Sequence, residues 1–171
     1  MPTSRILLAA GAALLAWALS AGCVPVNSLP GTALGTFAVT AVLSSNSCGS
    51  GLNLANPRKF DAELSLDGNT LYFKPTDEAE VSAPLDSDNS ATFTSVDNSP
   101  STNDSSCSLS LKTIYTVKLD SASAPTTAAG SLRFEYSALR SNSCASQLSS
   151  KGGVYDELPC SAEFSYTALK K

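Results

Sequence analysis

Histidine is absent from the entire chain. That removes the commonest general base, the usual His-activated nucleophiles and most zinc sites together. Tryptophan and methionine are nearly absent too: Trp17 and Met1 are the only ones. Met-rich adaptable surfaces are thereby excluded. Beyond Trp17 only tyrosine or phenylalanine can stack on a sugar or base. Basic charge is sparse, with 11 Lys and Arg against 15 Asp and Glu, and it is not clustered. Nucleic-acid binding, which needs a basic patch, is not expected. Long apolar runs are missing except one, Ile6 to Leu19. It is short for a membrane-spanning helix, and no later segment approaches the ~20 apolar residues a span needs.

What is present at the start is the anatomy of an export signal. Arg5 supplies the positive start, the apolar run follows, and Leu19-Ser20-Ala21-Gly22-Cys23 closes it with small residues before a cysteine. This closing segment resembles the lipobox of bacterial lipoproteins, with Leu19 four positions before the cysteine where the family places its large aliphatic residue three before. The resemblance implies removal of residues 1–22 and acylation of Cys23 with two or three chains. Two or more chains hold a protein stably on a bilayer without spanning it. Val24 is not Asp, so the inner-membrane retention signal of enteric bacteria is absent. In a cell with two membranes the resemblance therefore implies the outer one. Residues 23–34, with Pro25 and Pro30, form a tether that reaches roughly 35 Å fully extended. The remainder, 35–171, is long enough for a single domain with a core.

Four further cysteines, Cys48, Cys107, Cys144 and Cys160, fit an oxidising compartment and two disulfides. No C-x-x-C spacing suggests a metal site, and neither metal nor cofactor is expected. Spacing alone allows three pairings. Two echoes favour one of them. Ser-Asn-Ser-Cys recurs at residues 45–48 and 141–144, each after a strand-like segment. Cys107 and Cys160 each open another. Pairing in chain order gives Cys48 with Cys107 and Cys144 with Cys160.

The rest of the chain alternates apolar and polar residues with period two. Phe37, Val39, Ala41 and Leu43 occupy one parity. Phe60, Ala62, Leu64 and Leu66 occupy the next, followed by Asp67-Gly68, a hairpin signal, and by Leu71-Tyr72-Phe73. Ala79–Ala83 and Ala91–Thr94 give two shorter segments. Leu109, Leu111, Tyr115, Val117 and Leu119 share a face. So do Leu132, Phe134, Tyr136 and Ala138, and then Ala162, Phe164, Tyr166 and Ala168. No convincing helix follows the signal. The fold class is all-β: about eight antiparallel strands in a β-sandwich or an up-and-down barrel. In a simple meander, connections after odd-numbered strands lie at one end, so all four cysteines fall at the pole opposite the tether.

Candidate chemistry is thin. Asp86-Ser87-Asp88-Asn89-Ser90, with Asp97 beyond, loosely echoes a calcium loop but lacks its glycine and flanking helices, so a polar turn is expected. Asp156 and Glu157 are adjacent acids, which point to opposite faces of an extended chain and do not pair on one sugar. No Ser-x-x-Lys motif follows the signal. A non-catalytic protein is expected, with a hydrolase as the least favoured reading. Long loops on a rigid scaffold are where binding resides. This makes Asn46, Asn142, Tyr155, Asp156 and Glu157 the candidate surface for an envelope macromolecule. A second reading rests on Leu34-Gly35-Thr36-Phe37, which resembles the Gly-x-Trp opening of lipocalins, with Phe37 in place of the Trp. That resemblance implies a barrel holding a small apolar ligand or lipid. The bilayer itself is the remaining expected partner, through Cys23.

Overall fold

A computed structural model of the chain describes residues 29–100, 107–139 and 144–171. Cys23, tether residues 24–28 and Asn142 lie outside the described residues. Eight strands follow the alternating segments: β1 (Thr32–Asn46), β2 (Arg58–Asp67), β3 (Thr70–Pro75), β4 (Val81–Pro84), β5 (Ser90–Pro100), β6 (Ser108–Leu119), β7 (Thr127–Ala138) and β8 (Cys160–Lys170). β1 thus begins inside the segment expected as tether. Two short 3-10 turns, Ala145–Gln147 and Ser149–Lys151, interrupt the β7–β8 connection.

All eight strands form one antiparallel sheet in the order β4-β3-β2-β1-β8-β7-β6-β5. Sequence neighbours pair except β4 with β5, and the first strand pairs with the last, Phe37 opposite Lys170 through Asn46 opposite Ala162. This is a nearly closed up-and-down barrel, which decides between the two expected architectures. One seam remains, between β4 and β5. A tight turn joins them at one end, where Asp86 N–H donates to the Ser90 carbonyl at 2.7 Å and Asn89 takes a left-handed φ of 64°. β4 has four residues and β5 has eleven, and β5 has no ladder partner on that side.

The apolar parity of each strand faces the barrel interior. On β8, Cys160, Ala162, Phe164, Tyr166 and Ala168 are all buried, as period two requires. Large rings fill the middle. Phe73 of β3 stacks on Phe93 of β5 with ring centroids 5.4 Å apart, and meets Tyr115 of β6 edge-on at 5.0 Å. These rings bridge the two sides of the seam with packing instead of backbone hydrogen bonds. Phe134 of β7 meets Phe164 of β8 edge-on at 6.1 Å.

Gly130 on β7 permits a crossing of this interior. The Tyr166 hydroxyl reaches over it to donate to the Thr116 carbonyl on β6 at 2.8 Å. A Cβ at residue 130 would collide with that carbonyl. The Ser131 N–H turns to the Thr116 side-chain oxygen at 2.9 Å, so the local ladder is rearranged but no buried side-chain polar atom among the described residues is orphaned.

The four cysteines occupy one pole, opposite the pole where β1 begins, as the meander requires. Their pairing differs from the chain-order expectation. Cys48 bonds Cys160 and Cys107 bonds Cys144. Barrel closure is the reason. The strand just before Cys48 is β1, and its neighbour on that side is β8, which starts at Cys160. Cys107 precedes β6 and Cys144 follows β7, which are also neighbours. Cys48 and Cys107 flank strands separated by β8 and β7, too far apart for a disulfide.

Candidate functional site

The disulfide pole is closed by a compact cap. Asn46 shapes the turn after β1: its side-chain oxygen accepts from Cys48 N–H at 2.9 Å and its amide donates to the Gly49 carbonyl at 3.0 Å. Asp156 N–H then donates to the Cys48 carbonyl at 2.8 Å. Gly49 has a φ of 93°, and the space a Cβ would occupy there is filled by the Asp156 carboxyl group. Tyr155 exchanges backbone hydrogen bonds with Gln147 and Ser149. The ring of Tyr155 lies 5.4 Å from that of Tyr136 and packs beside Cys48 and Cys160.

The candidate residues at this pole therefore separate into two groups. Tyr155, expected on the surface, is buried, because its ring is the apolar anchor of the cap. Asn46 is exposed, but its polar atoms are engaged in the turn. Asp156 and Glu157 are exposed on the cap. Asn46, Tyr155 and Asp156 come together around the Cys48–Cys160 bond. Asn142 lies outside the described residues.

The acidic turn Asp86–Ser90 joins β4 to β5. The Asp88 carboxylate is taken by the Ser90 hydroxyl at 2.6 Å and by Lys118 at 3.1 Å. The Ser90 hydrogen bond, then the Lys118 ammonium, hold its pKa down at about 2. Asp97 lies away from this turn, on β5. Among the described residues, no group of three or more acidic or cysteine side chains is placed to hold a metal ion.

A different constellation lies where the seam opens toward the disulfide pole. A cavity of about 600 Å³ separates the β3–β4 loop from β5. Arg58 begins β2 on the inward parity. Its guanidinium donates to Glu78 at 3.0 Å and lies over the rings of Phe134 (5.4 Å) and Phe60 (5.8 Å). Glu78 sits in the β3–β4 loop, just after Asp77 with a left-handed φ of 65°, and its N–H donates to the Pro75 carbonyl at 3.2 Å. The second carboxylate oxygen of Glu78 accepts from the buried Tyr115 hydroxyl at 2.6 Å. Burial, then that hydrogen bond, push the phenol well above its ordinary pKa, so it stays protonated and donates.

Arg58, Glu78 and Tyr115 thus tie β2, the β3–β4 loop and β6 across the gap that no ladder spans. The Arg58–Glu78 pair is about one-third exposed, so its own contribution is below about 1 kcal/mol. Its importance is positional, because it places donors and rings around a cavity. None of the three was a candidate in the sequence. One signal was there: Arg58 shares the inward parity of Phe60, Ala62 and Leu64, and a charge on a core-facing parity calls for a partner. Glu78, in a loop, carried no such signal.

Among the described residues no helix is long and apolar enough to cross a membrane. Compared with protein-family models, with curated proteins and with solved structures, the chain matches none.

Proposed function

We propose that this chain is an exported bacterial envelope lipoprotein, held to the bilayer by acylated Cys23, whose barrel is a non-catalytic platform for a partner at the disulfide pole. The observation that supports this is polarity. The chain enters the barrel at one pole, and the cap that holds both disulfides closes the other. An anchor at the entry pole directs the cap away from the membrane. A short tether and a filled interior suit a rigid presenter more than an enzyme that must open and close. Asp156 and Glu157 give the cap exposed acidic groups, suited to a partner with basic side chains.

The anchor is tested by feeding a radiolabelled fatty acid to cells expressing the full chain and its Cys23→Ala variant. Label on the parent, lost in the variant together with membrane fractionation, is expected. An unlabelled parent chain in a bacterial host would overturn the lipoprotein reading. The partner surface is tested with Asp156→Lys and Glu157→Lys together. This charge reversal is expected to lose whatever envelope protein cross-links to the cap, with the fold unchanged.

The small-ligand reading has its own observation, the seam cavity.

A further inference from the structure

We propose that the seam cavity between the β3–β4 loop and β5 is a binding site for a small, uncharged, flat apolar molecule that carries one hydrogen-bond acceptor. The site does not depend on the lipid anchor.

The cavity exists for a structural reason. β4 ends its pairing with β3 at Val81, while β5 runs on to Pro100. Past that point the sheet has no strand to fill the position, and Ser95 to Asp97 face the gap. At about 600 Å³ the space falls within the range of small-ligand sites, roughly 300–1,000 Å³. Its walls include Leu54, Val81, Leu111, Phe134 and Tyr136. Such a lining favours an apolar body, and the two rings favour a flat one.

Charge selects the ligand further. Arg58 is the one basic side chain of the lining. Glu78 already neutralises Arg58 at 3.0 Å. A carboxylate or sulfonate entering the cavity meets an arginine whose charge Glu78 already balances, and would lie beside that carboxylate, which disfavours fatty acids and other anions. Neutral acceptors have no such cost. A guanidinium carries five N–H donors, and among the described residues Arg58 gives one hydrogen bond, to Glu78. Because Glu78 and the rings of Phe60 and Phe134 hold the guanidinium in place, a ligand carbonyl or hydroxyl that meets its remaining donors loses little to ordering. The Tyr115 hydroxyl is committed to Glu78 and fixes the carboxylate rather than the ligand.

Benzophenone has this chemistry, a neutral ketone between two rings, and is itself a photolabel. The test irradiates the full-length protein, extracted from membranes in detergent, with benzophenone, and maps the adducts by peptide mass spectrometry. Saturable labelling confined to the lining, at residues such as Leu111, Val96 and Tyr136, is expected. Ala79 is exposed at the cavity rim, so Ala79→Trp fills the mouth without needing room in the core. Labelling should fall at least about tenfold in this variant. Diphenylmethane, the same body without the carbonyl, should compete at least about fivefold more weakly than unlabelled benzophenone, and Arg58→Met should abolish that difference. Adducts scattered over the surface, or unchanged in a folded Ala79→Trp protein, would overturn the site. Equal competition by the two compounds in the parent protein would overturn the acceptor requirement without any variant.

Discussion

The two ends of this barrel are closed by different means. At the entry pole, the β1–β2 ladder runs to the first residue of β1 and the short turn Asp86–Ser90 shuts the seam. Leu34, Phe37, Leu71, Leu119 and Ala168 fill the space inside. At the disulfide pole the β4–β5 ladder is missing. Two disulfides, the Tyr155 cap and the Arg58–Glu78–Tyr115 linkage take its place. Hydrogen-bonded ladders leave no room for a ligand. Side-chain closure does, because side chains end where a cavity can begin.

Breaking the covalent part of that closure should cost most. Opening the 112-residue separation by Cys48→Ala with Cys160→Ala is expected to lose up to about 5 kcal/mol by chain entropy. Opening the 37-residue one by Cys107→Ala with Cys144→Ala is expected to lose up to about 4. Denaturant titration of each double variant measures both. An equal or reversed order would mean that native packing around the bonds, not loop length, sets their contribution.

That contrast also shows what the sequence made legible. Period-two alternation marks a half-buried strand wherever it occurs, so all eight strands could be read locally. The cysteine echo was also informative: a cysteine after a strand does bond a cysteine before one. What could not be read was which strands become neighbours. β1 and β8 lie at opposite ends of the sequence, and their pairing is a property of the closed sheet. In the seam linkage, Arg58 and Glu78 meet at the open end of the local β2–β3 hairpin, but the contact of Glu78 with Tyr115 on β6 was hidden for the same reason. Tyr155 was misplaced because a loop of polar composition gives no sign of which side chain anchors it.

Next in size is the aromatic bridge across the seam. Phe93→Ala removes the ring that stacks on Phe73, in a position with almost no exposure, and should cost about 3–5 kcal/mol in denaturant unfolding. Loss of less than 1 kcal/mol would mean that the two sides of the seam are held by something other than this packing.

Tyr115→Phe keeps the ring and removes the donor to Glu78. An expected loss of about 1–3 kcal/mol follows from withdrawing a hydrogen bond from a charged acceptor. The loss should come with faster amide exchange in residues 76–80 than in β1 or β8. Uniform exchange would contradict a local role in the seam.

The smallest effect should appear in acid, at exposed carboxylates near the entry pole. Asp88 is held at about 2 by Ser90 and Lys118, and Asp120 at about 2 chiefly by the Thr126 hydroxyl. A depressed folded-state pKa stabilises above the ordinary value of 3.8 and loses that contribution as pH falls through about 2. The thermal midpoint should decline over that window, and Asp88→Asn with Asp120→Asn should flatten the decline. A decline unchanged in the double variant would assign it to other carboxylates.

Disulfide mapping of the unreduced, exported full chain tests barrel closure most directly. Proteolysis without reduction should yield peptides linked Cys48 to Cys160 and Cys107 to Cys144, because β1 lies beside β8 and β6 beside β7. Peptides linking Cys48 to Cys107 would mean that β1 does not meet β8, and would contradict the closed barrel with its single seam.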